Sequence, residues 1–211
     1  MLNRICAALA VLLLMAATDS GHRDRLLAAD NIATVEQWIA EAALAVPESV
    51  RTACGVTRND RSIPVLHGPD MLDVNSSRCR VLLVTGFESE STTIQSALHA
   101  WRSFHTDTKY ETARKVIALG IVPLANPDGL ALGLGNRNSA GNRNSTGDQP
   151  GVGYPPQGTA YGDVRRAEAL YLWRWIGMLA PDLVVVVRPG GPLVWRASSA
   201  MFESESELKT A

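Results

Sequence analysis

Apolar residues along the chain follow two spacings, and these alternate. Ile32, Val35, Ile39, Ala42 and Val46 recur at three and four residues, with Trp38 beside them, which predicts an amphipathic helix over 32–46 that Pro47 stops. Ile63-Pro-Val-Leu66 is a short strand candidate, and its internal proline predicts an edge position. Arg80 to Phe87 carries the unbroken run Val81-Leu-Leu-Val84 before Gly86, the pattern of a strand buried on both faces. A helix over 92–104 follows, with Ile94, Leu98 and Trp101 on one face. Val116 to Ala125 reads as another apolar strand and ends in Asn126-Pro-Asp-Gly129, a turn signal. A helix over 164–179 presents Leu172, Trp175, Ile176 and Leu179, and a third buried strand over 182–187 breaks at Pro189-Gly-Gly191. Strands alternating with helices predict an α/β three-layer sandwich on a mixed, largely parallel sheet. Ligands of such sheets bind beyond the carboxyl ends of the strands. Three segments stand there: 87–91, 126–129 and 188–191.

Composition fits a folded domain: 46% of the 211 residues are hydrophobic and 19% charged. A formal net charge of −1 gives no electrostatic basis for binding nucleic acid or an anionic membrane surface. The start of the chain is different in kind. Arg4 precedes an apolar run from Ile5 to Ala17, and small residues follow at Ala16, Ala17, Thr18 and Ser20. The run is shorter than the roughly 20 residues a membrane span needs and fits a signal-peptide core. Residues 1–20 are therefore expected to be a signal peptide, the chain to be exported (secreted or periplasmic), and no transmembrane span to be present. Residues 25–195 are the expected α/β domain, and 196–211 a polar, disordered tail. Cys6 falls in the leader; Cys54 and Cys79 remain, and their pairing is open at this level.

The stretch between 129 and 163 is rich in Gly, Asn, Ser and Pro and holds a tandem hexamer, Gly135 to Ala140 and Gly141 to Thr146. A loop of this length in a compact domain is either functional or disordered. Asn75-Ser-Ser77 and Asn144-Ser-Thr146 have the form of glycosylation acceptors.

Several segments, in this order, resemble the zinc carboxypeptidase family. Gly55-Val-Thr-Arg-Asn-Asp-Arg-Ser-Ile-Pro64 is similar to its early G-x-S-x-x-G-R-x-I segment, with Asp60 where glycine is usual. Arg78 to Gly86 resembles the strand leading to the first two zinc ligands, and Ala125-Asn-Pro-Asp-Gly129 its N-P-D-G turn. Tyr161 to Ile176, with Glu168, resembles a Y-x-G…E-x-x-A-L helix. Pro181-Asp-Leu-Val-Val-Val-Val187 resembles the strand that delivers the third ligand. The resemblance runs over roughly residues 32–191 and implies a zinc-carboxypeptidase-like fold that is incomplete at the C-terminus.

It also implies zinc as the family cofactor, held by His-x-x-Glu after one strand and His after another, with a fourth position open to water. Carried over residue by residue, those positions hold Glu88, Ser91 and Arg188. A serine hydroxyl is a poor zinc ligand at neutral pH, and a guanidinium has no lone pair to give. The expectation is therefore no metal, with Glu88 and Arg188 forming an ion pair across neighbouring strand ends. A metal site built from Glu88, Glu90 and a distant His67 or His105 is the alternative. The family segment that binds the substrate's terminal carboxylate has its counterpart at Asn142-Arg-Asn144, which makes Arg137, Asn142 and Arg143 substrate-binding candidates.

Three functional readings stand on these residues. One is a carboxypeptidase-like protein that binds a peptide or other carboxylate ligand without hydrolysing it. Another is an active metallocarboxypeptidase or acyl-amide metallohydrolase with non-standard ligands. The third is a truncated fragment without function.

Overall fold

The computed structural model describes residues 32–57, 59–73, 75–87, 91–131 and 167–188. Helix α1 (Ile32–Ala45) leads into strand β1 (Val50–Val56) and β2 (Ser62–His67), followed by β3 (Cys79–Val84) and helix α2 (Ser91–Thr106). The short helix α3 (Glu111–Arg114), β4 (Ile117–Val122) and helix α4 (Pro127–Ala131) come next, and α5 (Ala167–Leu179) and β5 (Leu183–Val186) close the order. The described strands form one mixed sheet, β1-β2-β4-β3-β5. Strands β4, β3 and β5 run parallel, β2 pairs antiparallel with β4, and β1 pairs antiparallel with β2.

Alternation along the central strands makes two cores. Val81 and Leu83 of β3, with Ile117, Leu119 and Ile121 of β4, face α1 and α2, where Val35, Ile39, Ile94, Leu98, Trp101 and Phe104 meet them. Leu82 and Val84, with Ala118 and Val122, face Leu172, Ile176 and Leu179 of α5. Both faces of β3 and β4 are thus buried, as their continuous apolar runs require.

Two expectations are corrected, and one strand is new. β2 lies between β1 and β4 rather than at an edge. Its proline is tolerated because β2 pairs with β4 only at Leu66↔Ile121 and His67↔Gly120. Pro64 lies beyond that ladder, opposite Ala53, next to a register shift between Ala53 and Gly55. A bulge of this kind is one of the few sheet positions that accept proline. β5 is not buried on both faces: it pairs with β3 on one side, its first three residues are half-buried and Val186 is exposed. Strand β1 was not anticipated at all. Its sequence, VRTACGV, lacks an aliphatic run, and the strand is held by its pairing with β2 and by Tyr171 of α5. The Tyr171 ring lies where a side chain at Gly55 would be, with Cγ 2.2 Å from that Cβ position.

Cys54 is a free thiol. It packs on the α5 face, while Cys79 points into the core under α1 and α2, so the sheet stands between the two. Among the described residues, no helix is long and apolar enough to cross a membrane.

Candidate functional site

The carboxyl ends of β3 and β4 are joined by backbone. Thr85 N–H donates to Val122 O (3.0 Å), Ala125 N–H to Thr85 O (2.9 Å) and Asn126 N–H to Gly86 O (3.0 Å). Gly86 has φ +72°, and a Cβ there would sit 2.8 Å from Leu124 Cα and from Pro123 O, so both conformation and space demand glycine. β5 joins the same end, with Val187 N–H on Val84 O at 2.9 Å.

Asn126 is a clamp rather than only a turn residue. Its Oδ1 accepts from Gly129 N–H (3.0 Å), the geometry of a helix N-cap, and so the expected turn is the start of α4. Its Nδ2 reaches back to Phe87 O at 3.2 Å. One buried amide thus fixes the segment after β3 to the segment after β4.

Two residues on, Asp128 is fully buried and takes three donors from the tip of the β1–β2 hairpin. Thr57 Oγ1 (2.9 Å) and Arg61 Nη1 (2.8 Å) donate to Oδ1, and Asn59 Nδ2 (2.9 Å) donates to Oδ2. Arg61 keeps 35% of its side chain exposed, while Asp128 has none. A buried carboxylate persists because its lone pairs are filled by charged and neutral donors together. Asp60, where glycine was expected by resemblance, has φ +56°, which the tip's close turn requires.

Of the candidate residues, Ser91 opens α2 and is buried, four residues after Phe87. Arg188 ends the described part of β5's extension, exposed, with its guanidinium carbon 5.1 Å from the centroid of the Phe87 ring. Phe87 therefore links the two neighbourhoods. Glu88 and its expected ion pair with Arg188 lie outside the described residues, as do Glu90, Arg137, Asn142 and Arg143. Glu168 is buried at the start of α5. His105 is not near this end: it is in the last turn of α2, about 21 Å from Ser91 at 1.5 Å per residue.

The residues missed by sequence reasoning are Thr57, Asn59, Arg61 and Asp128 as one cluster. The signal was present in two pieces, the G-x-S-x-x-G-R-x-I-like segment and Asn-Pro-Asp-Gly, but nothing in either piece says that they touch.

No protein-family model and no curated protein matches the sequence. Solved structures do match. A metallo-carboxypeptidase from Pseudomonas aeruginosa, in complex with (2-guanidinoethylmercapto)succinic acid, superposes with a TM-score of 0.52 at 18% identity, covering 72% of this chain and 37% of that one. A metallo-carboxypeptidase from Burkholderia cenocepacia gives 0.53 at 15% identity, over 71% and 38%. The chain has the metallo-carboxypeptidase fold. It spans less than two-fifths of the length of these two structures.

Two of the candidate ligand positions, Ser91 and Arg188, are described, and neither side chain is a usual zinc donor. Ser91 offers a neutral hydroxyl and Arg188 a permanent cation without a lone pair. Among the described residues, no group of three His, Cys, Asp or Glu side chains could hold a metal ion.

Proposed function

We propose that the chain is an exported, carboxypeptidase-like protein that binds a peptide or another carboxylate-bearing ligand at the strand ends and does not hydrolyse it. The observation that carries this reading is Arg188. It stands at the carboxyl end of β5, where the family resemblance calls for a zinc ligand, and it is exposed over the Phe87 ring. A guanidinium repels a divalent cation and matches a carboxylate through paired N–H donors. Ser91 opening α2 adds a hydroxyl, in place of the family's glutamate ligand, and the positive end of a 16-residue helix. The Pseudomonas structure holds a succinic acid derivative, a ligand of the carboxylate class. The same reading takes 1–20 as a signal peptide, 25–195 as the domain and 196–211 as a polar tail; the apolar run from Ile5 to Ala17 supports the first.

The test is metal analysis of the purified protein, with calorimetric titration of succinate and of an N-blocked dipeptide bearing a free carboxyl terminus. The expected result is substoichiometric zinc, no peptide cleavage, and carboxylate binding that Arg188→Ala weakens by about tenfold or more, the loss of one charge-assisted pair. Stoichiometric zinc with peptide hydrolysis would overturn the reading.

A further inference from the structure

The β1–β2 hairpin meets the rest of the sheet along a ladder of two residue pairs, Leu66↔Ile121 and His67↔Gly120. The β3–β4 ladder next to it has six pairs, Cys79↔Ile117 to Val84↔Val122. This short seam is braced by a histidine. The His105 ring, in the last turn of α2, packs against Trp101 and Phe104 at 4.8 and 5.2 Å between centroids. Its Nε2–H donates to Leu119 O of β4 at 3.2 Å. On its other side, Cε1 comes within 3.8 Å of the Cβ position of Gly68, the residue that follows β2. His67, in the ladder itself, is pinned through Nδ1–H to Gly68 O at 2.8 Å, and its Nε2 is buried without a hydrogen-bond partner among the described residues.

We propose that this junction is an acid-sensitive latch: protonation of His105 loosens the seam between the hairpin and the parallel strands, and with it the hairpin tip held at Asp128. Among the described residues, the charges around the ring leave the imidazolium without a counter-ion. Arg114 of α3 is the cation acting on it, and that guanidinium is itself bound to Phe104 O and Asp107 O. Of the carboxylates on adjoining segments, Asp107 pairs with Lys109, Asp70 with Arg78, and Glu111 with Lys115. The remaining groups on the same helix, His99 and Arg102, add no negative charge. Burial and Arg114 both push the His105 pKa below its ordinary 6.5, and only the bond to Leu119 O opposes them.

The sign follows from linkage. A histidine depressed in the closed state takes up its proton more readily when the seam opens. The stability it contributes is complete above the ordinary 6.5 and falls as pH drops below that value. At one unit below, a ring that must stay neutral shifts the opening equilibrium by up to about tenfold.

The experiment is native-state hydrogen exchange on the full chain at pH 7.5 and 5.5, corrected for intrinsic rates. The expected result is an approximately tenfold loss of protection at the amides of Leu66 and His67 with little change at Leu83 and Val84. His105→Gln, whose amide still donates to Leu119 O, should abolish the difference. An equal loss in both ladders, or the same selective loss in H105Q, would overturn the proposal. Should H105Q fail to fold, the wild-type His105 Cε1–H titration decides: a midpoint below 6.5 supports the latch, and one at or above 6.5 refutes it.

Discussion

The two parts of the sheet are secured at the same end by different means. The parallel part, β4-β3-β5, arrives there on backbone: its long ladders continue as hydrogen bonds through Thr85, Gly86 and Ala125, with one side chain, Asn126, closing the join. The hairpin arrives on side chains. Its own ladder to β4 is two pairs long, and its tip is secured by Thr57, Asn59 and Arg61 on a single carboxylate. Backbone registry spreads over many weak bonds and survives most substitutions. A three-donor cluster concentrates the same task in one residue. The position of the Arg188 neighbourhood therefore depends on the first mechanism, and the position of the hairpin tip on the second.

Cys54 offers the largest readout of this contrast, because it is in the hairpin. Burial pushes its thiol from an ordinary 9.0 to about 12, with a backbone hydrogen bond opposing in part. At pH 8 the thiolate, which is the reactive form, is then rarer by about a thousandfold than in the unfolded chain. Alkylation of the native protein is expected to be slower than that of the denatured protein by about that factor. Labelling at near-denatured rates would show a hairpin open most of the time, and the contrast between the two parts would be one of folding and not only of fastening.

Gly86→Ala attacks the backbone-built part. The substitution places a Cβ in a left-handed conformation, 2.8 Å from two backbone atoms of the β4 extension that cannot rotate away. Strain of about 1 kcal/mol and overpacking of about 1–3 kcal/mol predict a loss near 3 kcal/mol in urea unfolding. A loss under about 1 kcal/mol would mean that the join between the strand ends is looser than its hydrogen bonds imply.

How much of this was legible beforehand differs between the same two parts. Strands β3 and β4 and helices α1, α2 and α5 were readable because each buries a continuous run or a stripe, such as Val81–Val84 or Ile94, Leu98 and Trp101. The α/β class and the strand-end location of Ser91 and Arg188 follow from that order. The hairpin was not readable. β1 is a strand because of its neighbours and not its residues, and Pro64 pointed to an edge that the short β2–β4 ladder makes only locally true. The Asp128 cluster joins residues 67 to 71 positions apart, and local pattern carries no information at that separation. The clustered chemistry of the site lay where the fold, rather than the sequence, brings segments together.

Asp128→Asn is the narrower test of the side-chain-built part. The amide keeps the shape of the carboxylate but removes the charge that pairs with Arg61, and its NH₂ must face one of three donors. Arg61 is one-third exposed and turns to water, so the loss is smaller than for a wholly buried pair: about 2 kcal/mol in urea unfolding, within the range for one lost charged hydrogen bond. The distribution of the loss matters more than its size. If the hairpin is held by this carboxylate, amide protection falls first at the Thr57–Arg61 tip and in β2, while β3 and β4 keep theirs until global unfolding. A uniform loss across the sheet would show that the hairpin and the parallel strands unfold as one unit. The two-pair seam would then be as strong as the six-pair ladder beside it.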